Sequence, residues 1–444
     1  MTFLLLNSPI YRERSYAVED YLPPLGLGYI ATNLLKSGIN ALIIDCVKER
    51  LGIKEIYALL KERNPDYIGI NVFTQNYETV KEIIEGCPVG ARLIIGGQVV
   101  KSIYNEILKW NVLNPLTIVI GEGELLLPAM VLGNCIEKPF AHNNDIEVYR
   151  VDKNSAYYPK DLDKVHLNRA VLKNDIVTNH YGQKEAAIVT SRGCMYNCAF
   201  CGGAHNLNRD VSIRFRTIID VEEEISEIIH SHPDVTSIRV LDDLFLRDES
   251  SIINAIELFK KHSNLTWRGM AHILTFTKCI QTLPLLREHG CRELFIGIES
   301  GSIEMRRKIN KPGTLEQVID VITAILQAGI DVKGYFMYGF PNETTADADA
   351  TFALASRLSA IAQTSKAKFR PSVFQFRPYH GTHLYNEMIK SGQNISSIRG
   401  NDDLNAFSGR SQFNFESGNY SDIEDGQLND YILKTQKLSE VRHA

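Results

Sequence analysis

The sequence lacks three features that would each have narrowed its function at once. Lys and Arg number 48 against 53 Asp and Glu, so there is no basic excess of the kind that nucleic-acid-binding surfaces need. Apolar runs such as residues 125–132 are far shorter than the ~20 residues that span a bilayer. No basic segment precedes the apolar start and no small-residue cleavage site follows it, which argues against a secretory signal. These absences predict a cytoplasmic protein with no membrane span and no nucleic-acid partner.

Cysteine is also scarce, because only eight occur in 444 residues. That number excludes a disulfide-rich scaffold, and without a secretory signal we expect reduced thiols. Three of the eight, Cys194, Cys198 and Cys201, lie within eight residues of one another. This triad is the strongest local signal in the chain.

The order of apolar runs predicts two α/β domains. Residues 1–133 alternate short buried strands with helical patterns, which is typical of a doubly wound, Rossmann-like parallel sheet. Residues 134–184 are polar and irregular, and we interpret them as a linker on the surface. Residues 185–385 contain about six β/α units, which predicts a partial (β/α)6 barrel. Residues 386–444 form a small C-terminal extension whose role the sequence does not indicate.

Glycines and amides follow three predicted strands of the first domain. Ligands bind beside the C-terminal ends of strands in such sheets, and glycine lets the backbone approach a ligand closely. The alternative is that each group is only a tight turn. Taken together on one edge they favour a ligand cleft, formed by Thr74, Gln75, Gly96, Gly97, Gln98, Gly121, Glu122, Gly123 and Glu124.

The cysteine triad follows a predicted strand directly, where barrel enzymes place their active sites. Three thiolates leave one iron of a [4Fe–4S] cluster open to another ligand. A structural zinc site needs four ligands, for which His205 is the nearest further candidate. Phe200 supplies an apolar cover. A zinc site and inert buried thiols remain as alternatives.

The loop Cys194–Met195–Tyr196–Asn197–Cys198–Ala199–Phe200–Cys201 resembles that of the radical S-adenosylmethionine (SAM) superfamily. Further segments agree in order over residues 185–385: 202–203, 241–243, 297–302, 334–344 and 376–382. The resemblance implies that SAM chelates the open iron and is cleaved reductively to a 5′-deoxyadenosyl radical. It also implies SAM contacts at Phe200, Gly202, Gly203, Asp242, Arg268, Glu299, Ser300 and Gly339.

Three of these residues have structural alternatives. Asp242, with Asp243, is also explained as a helix cap, and Glu299 as one half of a salt bridge. Arg268 fits an ordinary ion pair inside the barrel at least as well as a SAM or substrate contact. His272 and His380 receive no role.

The upstream domain resembles that of the cobalamin (B12)-binding radical SAM enzymes. The segment of residues 23–31 matches the start of that domain's first helix. This implies cobalamin contacts at Pro24, at Gly26 and at all of the strand-end residues above except Glu124. The sequence has no Asp-x-His-x-x-Gly motif, so we expect no cobalt ligand from that motif. The residues that could lie below the ring are Asn7, Tyr11, Thr74 and Gln75.

The resemblance favours a cobalamin-dependent radical SAM methyltransferase that acts on an unactivated carbon of a small-molecule or peptide intermediate. An external donor such as flavodoxin or ferredoxin would supply electrons. Three alternatives stay open: cyclisation, rearrangement or C–C bond formation with the same cofactors; an N-terminal domain that only docks a substrate or partner; and a non-catalytic iron–sulfur protein. Cys46, Cys87 and Cys135 lack the surroundings of the second cluster of methylthiotransferases, and we interpret them, with Cys279 and Cys291, as packing residues.

Overall fold

The computed structural model describes residues 1–9, 21–173, 175–395 and 418–439, together with the backbone of 399–400 and 415–416. In this part of the chain, no helix is both long and apolar enough to cross a lipid bilayer. Two seven-stranded sheets, each with its own helices and buried core, form the framework.

The first sheet confirms the predicted doubly wound arrangement. Its strands are β1 (Thr2–Asn7), β2 (Asn40–Asp45), β3 (Tyr67–Asn71), β4 (Arg92–Gly96), β5 (Leu116–Gly121), β6 (Ala141–Asn143) and β7 (Ile146–Val151). The spatial order is β2-β1-β3-β4-β5-β7-β6, and only β6 is antiparallel to its neighbour. The order reverses between β1 and β3, which is where such folds open a crevice.

Helices cover both faces of this sheet. Their bounds are α1 (Leu25–Lys36), α2 (Ile53–Arg63), α3 (Tyr77–Glu85), α4 (Val100–Ile107) and α5 (Leu126–Val131). Side chains of α1 and α5 pack on one face, and those of α2, α3 and α4 pack on the other. The α1 helix ends just before Gly38, which adopts the left-handed φ of +79° that favours glycine after a helix.

The stretch expected to be a linker contributes two strands to the first sheet, which extends to Val151, and one short strand at residues 177–178 to the second sheet. Ile146 and Val148 point into the core while Glu147 between them is exposed, which is the alternation of a half-buried strand. Asn144 turns the β6–β7 hairpin with a φ of +45°. The polar Asn-Asn-Asp turn hid this short alternation from the sequence interpretation.

The second sheet contains the six predicted parallel strands. Its strands are β8 (Val177–Thr178), β9 (Lys184–Ile188), β12 (Val235–Val240), β13 (Thr266–Ala271), β14 (Cys291–Glu299), β15 (Asp331–Tyr338) and β16 (Phe369–Gln375). Two short strands, β10 (Ser191–Arg192) and β11 (Arg214–Phe215), form a separate antiparallel ribbon. The order is β16-β15-β14-β13-β12-β9-β8, with only β8 antiparallel. The sheet is open, because β9 and β16 do not pair.

Helices pack on the outer side of this sheet. They are α6 (Ile218–Ser231), α7 (Glu249–Lys260), α8 (Ile273–Phe276), α9 (Leu283–Glu288), α10 (Ile303–Lys308), α11 (Leu315–Gln327) and α12 (Thr345–Gln363). Thr314 and Gln317 have the sequence spacing of a capping box, and α11 begins with one: Gln317 N donates to Thr314 Oγ1 at 3.2 Å, and Thr314 N donates to Gln317 Oε1 at 2.9 Å. A 3₁₀ turn at Ile280–Thr282 directly precedes α9.

The C-terminal extension contributes α14 (Asp425–Lys437), which follows α13 (His383–Lys390) and a short β17–β18 pairing of residues 399–400 with 415–416. The α14 helix packs against β15, β16 and α12. Thr435 Oγ1 lies 2.8 Å from Tyr338 Oη, and the ring of Tyr431 stacks on that of Tyr338. The extension therefore completes the barrel core beside its edge strand.

Candidate active site

The three cysteines lie on a loop at the C-terminal edge of the second sheet, between the β10–β11 ribbon strands. Asp242, which follows β12, fixes the start of this loop. Its carboxylate accepts hydrogen bonds from Thr190 N at 2.7 Å and from Ser191 Oγ at 2.6 Å. The buried carboxylate of Asp242 therefore binds the start of the cysteine loop. This role differs from both sequence-based interpretations, the SAM contact and the helix cap.

The side chains of Cys194, Cys198 and Cys201 are each half-buried. Burial raises the pKa of all three thiols, that of Cys201 to about 12, so iron binding has to displace their protons. Within the described ranges, no three His, Cys, Asp or Glu side chains surround a single point as one metal ion requires. Three thiolates of a [4Fe–4S] cluster each bind a different iron, so this spacing fits the cluster.

Apolar packing supports the loop from behind. Phe200 packs against Phe340 with ring centroids 5.8 Å apart, and the buried Ala199 joins the same apolar group. The ring of Tyr196 stacks on His272 at 4.0 Å, and burial lowers the pKa of His272 to about 3. The loop is thus held by rings on both sides and presents its thiols at the strand ends.

Gly202 and Gly203 differ in what a side chain at each position would meet. A Cβ on Gly203 would lie 3.5 Å from Asp243 Oδ1 and 3.7 Å from Cys201 Sγ. A Cβ on Gly202 would lie 2.5 Å from Gln98 Nε2 in the first domain. The backbone beside the triad is therefore uncovered on the cysteine side, as a SAM-binding segment requires, and touches the other domain.

Glu299 ends β14 with a φ of +66° and forms a buried ion pair with Lys311, whose Nζ lies 3.1 Å from Glu299 Oε1. Burial opposes protonation of Lys311, but Glu299 and Cys198 raise its pKa above the usual value. The salt bridge that the sequence left as an alternative is therefore present. A Cβ on Gly297 would lie 2.3 Å from Glu299 Oε1, so any side chain there would have to displace the Glu299–Lys311 pair.

Two further SAM candidates are used by neighbouring protein groups. Ser300 is fully buried, and its Oγ lies 3.0 Å from Thr351 Oγ1. The N–H of Gly339 donates to Glu343 Oε2, while Glu343 Oε1 has no partner in the described part of the chain. Burial raises the pKa of Glu343 to about 8. Sequence reasoning missed both Lys311 and Glu343 as supports of this edge.

The structure corrects the assignment of Arg268. Its guanidinium lies 2.6 Å from Glu185 and 3.1 Å from Glu293, and the side chain is 2% exposed. All three groups lie near the beginnings of their strands, away from the C-terminal edge that carries the cysteines. Arg268 therefore belongs to the ion pair that the sequence left as the alternative.

A cavity of about 620 Å³ opens at the C-terminal edge of the first sheet, at the crevice beside β1 and β3. Eight of the ten predicted cobalamin residues line it: Pro24, Gly26, Gln75, Gly96, Gly97, Gly121, Glu122 and Gly123. Thr74 does not line it, because its Oγ1 contacts His380, and Gln98 lies on Gly202 instead. Asn7 lines the cavity as expected, whereas Tyr11 falls outside the described residues.

The glycines of the cavity wall serve two purposes. Gly97 and Gly121 have φ values of +125° and +99°, and a Cβ on them would meet the carbonyls of Val72 and Val151 at 2.4 and 2.1 Å. The tight-turn alternative is therefore right for these two. Gly26 has no atom within 4 Å of its would-be Cβ. That open backbone on the cavity is the cradle that a large ligand such as cobalamin would fill.

The two strand-end edges face each other. Val189 and Leu241, which follow β9 and β12, line the cavity of the first domain. Gln75 Nε2 donates to Tyr379 Oη at 3.2 Å, and Lys101 Nζ donates to Leu207 O at 2.7 Å. The cavity and the cysteine loop thus share one interface.

Comparison with known proteins agrees with this geometry. The Radical SAM superfamily model matches residues 188–355, and the B12 binding domain model matches residues 16–131. An uncharacterized methyltransferase from Pyrococcus horikoshii is 26% identical over 88% of this chain and 83% of its own length. Cytidylyl-2-hydroxyethylphosphonate methyltransferase from Streptomyces wedmorensis is 25% identical over 83% of this chain and 78% of its own length.

Solved structures share the fold. The cobalamin-dependent S-adenosylmethionine radical enzyme OxsB superposes with a TM-score of 0.64 at 15% identity over 95% of this chain, which spans 64% of OxsB. The radical S-adenosylmethionine methyltransferase TsrM from Kitasatospora setae, with cobalamin and a [4Fe–4S] cluster bound, superposes with a TM-score of 0.60 at 16% identity over 88% of this chain and 75% of its own. With both domain models matched in this order, the chain belongs to the radical SAM enzymes that carry an N-terminal B12-binding domain.

Proposed function

We propose that this protein is a cobalamin-dependent radical SAM methyltransferase acting on an unactivated carbon of a small-molecule or peptide intermediate. The observation that carries the proposal is the shared interface between the cysteine loop and the glycine-lined cavity. Two relatives named as methyltransferases over most of this chain support methyl transfer. The eight cysteines, all free, suit a reducing cytoplasm with flavodoxin or ferredoxin as electron donor.

The chain's residues divide between the cofactors. Cys194, Cys198 and Cys201 would hold the [4Fe–4S] cluster. Phe200, Gly202, Gly203, Glu299 and Gly339 would place SAM beside it. The cluster and SAM supply a carbon-centred radical when bound, and cobalamin supplies a methyl carrier.

The protein's own contribution is positioning and exclusion of water. Asp242 anchors the loop, Lys311 holds Glu299 in a buried ion pair, and Glu343 orders the backbone of Gly339. Val189 and Leu241 close the cavity with apolar surface toward the barrel. Exclusion of water limits side reactions of reactive intermediates before they meet the substrate.

The test is reconstitution of the anaerobically purified protein, followed by iron and corrin measurements and incubation with methyl-labelled SAM and a strong reductant. We expect about four irons per chain, one cobalamin, 5′-deoxyadenosine release and label on cobalamin. Stoichiometric zinc without iron would refute the radical SAM assignment. Absence of corrin absorbance would favour a docking domain instead.

Cyclisation, rearrangement or C–C bond formation with the same cofactors is distinguished by the fate of the label. Methyl transfer requires labelled methylcobalamin to form from SAM before any substrate is added. A holoenzyme that releases 5′-deoxyadenosine but never labels cobalamin would contradict methyl transfer and leave both cofactors in place.

A further inference from the structure

One carboxylate of the cavity wall is held by both strands of the ribbon at the base of the cysteine loop. Arg214 contacts Glu122 with two nitrogens, Nη1 to Oε2 at 2.8 Å and Nη2 to Oε1 at 2.7 Å. Arg192 Nη1 lies 3.0 Å from Glu122 Oε1 and 2.7 Å from Glu124 Oε1. We call these four residues the interdomain clamp.

Further contacts hold the two arginines of the clamp in place. Arg214 Nη1 also donates to Pro159 O at 2.6 Å, and its guanidinium lies 4.3 Å from the centre of the Tyr158 ring. Arg192 lies 5.1 Å from the ring centre of Tyr29 in α1. Glu124 and Arg214 are buried, and Glu122 is only 18% exposed. Planar guanidinium groups on carboxylates and rings give defined geometry as well as attraction.

The chain positions of these residues connect the two cofactor sites. Glu122 and Glu124 follow β5 and line the cavity of the first domain. Arg192 stands two residues before Cys194 and pairs with Arg214 across the β10–β11 ribbon. A displacement of the cavity wall is therefore passed to the cysteine loop through two charged side chains and one hairpin.

We propose that Glu122 is a positioning residue that sets the distance and orientation between the cluster and the cobalamin cavity, rather than a cobalamin ligand. The inference rests on the proposed function, in which both cofactors act on one substrate carbon. Misplacement of reacting groups by ~1 Å costs as much as a hundredfold in rate. A clamp made from four charges at the interface is suited to hold that distance.

The test uses the holoenzyme with Glu122→Gln, which removes the charge and half of the carboxylate's acceptor capacity. Cob(II)alamin and the reduced [4Fe–4S] cluster are both paramagnetic, so pulsed EPR reports the distribution of distances between them. We expect a broader distribution in the variant. We also expect methylcobalamin formed per 5′-deoxyadenosine released to fall about tenfold.

Glu147→Gln is the matched control, because Glu147 is an exposed carboxylate on the adjacent strand β7. It should leave the distance distribution and the product ratio as in the wild type. Glu124→Gln, which removes only one partner of Arg192, should give an effect between the two. An unchanged distribution in Glu122→Gln overturns the proposal. So does a tenfold loss of cobalamin affinity with the distance unchanged, because Glu122 would then be a ligand.

Hydrogen exchange of the cofactor-free protein separates this inference from the proposed function. Glu122→Gln should speed exchange in residues 121–124 and in residues 191–201 together. If wild-type protein binds no cobalamin, the proposed function fails while coupled exchange still supports the clamp. Exchange that rises in only one of the two segments, or in neither, overturns the clamp.

Discussion

The two cofactor regions are built in different ways. At the edge of the second sheet, the polar side chains are already bonded to protein groups: Asp242 to the loop, Glu299 to Lys311, and Glu343 to Gly339. The cavity of the first sheet is mostly apolar and leaves Gly26 open. The edge of the second sheet therefore depends on side chains that hold the backbone in place, whereas the cavity of the first sheet depends on open space for a ligand.

Removal of a cluster thiol should have the largest effect and should separate the two regions. We expect Cys198→Ala to reduce bound iron to near zero and to abolish SAM cleavage, because the other two thiolates cannot hold the cluster. The cavity of the first sheet contains none of these atoms, so cobalamin should still bind. Iron analysis and corrin absorbance on one preparation measure both.

The matched control is Cys135→Ala, because Cys135 is half-buried like the triad but lies in a separate segment. It should retain iron and SAM cleavage. Loss of cobalamin from Cys198→Ala would show instead that the two regions assemble only together.

Arg268→Met should give the next largest effect, and on stability rather than on cofactors. The change leaves Glu185 buried without its main partner and takes one of two arginines from Glu293, which costs about 3–5 kcal/mol of unfolding free energy. Trp267 is fully buried in the barrel and Trp110 belongs to the first sheet. In a Trp110→Phe background, tryptophan fluorescence during urea unfolding therefore reports the barrel alone.

A control for this prediction is Arg247→Met, which removes a guanidinium that lies 3.7 Å from the centre of the partly exposed Phe215 ring. It should change the barrel's stability by less than about 1 kcal/mol, the scale of an exposed cation–π contact. If SAM affinity falls in Arg268→Met while stability is retained, Arg268 is a SAM contact and its assignment to a structural ion pair is wrong.

Glu343 lies at the edge of the second sheet and predicts a pH dependence for that region and not for the cavity of the first sheet. Its carboxyl titrates in the folded protein at a pKa of about 8, raised by burial, against about 4.3 when unfolded. Between these values the folded state holds a proton that the unfolded state has lost. Stability therefore falls as pH rises from about 4.3 to 8, by up to about 1.4 kcal/mol per unit, and levels off above 8.

Glu343→Gln should remove this slope, since the amide is neutral throughout. Urea unfolding of both proteins at pH 5, 6, 7 and 8, followed through Trp267, gives the comparison. Parallel pH profiles for the two proteins would mean that Glu343 is ionised in the fold.

The sequence predicted the parts of both regions that depend on local pattern. The strand-helix order of both domains, the capping box at Thr314 and the cysteine loop are set by spacing along the chain. Lys311 and Glu343 lie only 12 and 4 residues from Glu299 and Gly339, but these contacts depend on loop conformations that the spacing does not specify. Arg214 could not be predicted as a partner of Glu122, because the two residues are 92 positions apart and meet only when the domains come together. Arg268 shows the same limit: its strand is readable, but Glu185 lies 83 residues away. Glu122 lies on the predicted cavity wall, yet its partners come from the other domain.

Gly26→Ala should have the smallest effect on the protein and is the sharpest test of the open cavity. No atom lies within 4 Å of the new methyl group, so we expect unfolding of the first domain to change by less than about 1 kcal/mol. A methyl group in space that cobalamin occupies should weaken its binding by about 1–3 kcal/mol. Corrin titration measures the affinity, and Trp110 fluorescence in a Trp267→Phe background measures stability.

Gly97→Ala is the contrast: its φ of +125° and the 2.4 Å approach to Val72 O make it destabilising before any ligand is added. Full cobalamin affinity in Gly26→Ala would place the ligand elsewhere on the cavity wall. The cavity of the first sheet would then differ less from the edge of the second sheet, because open space at Gly26 would not be what binds the ligand.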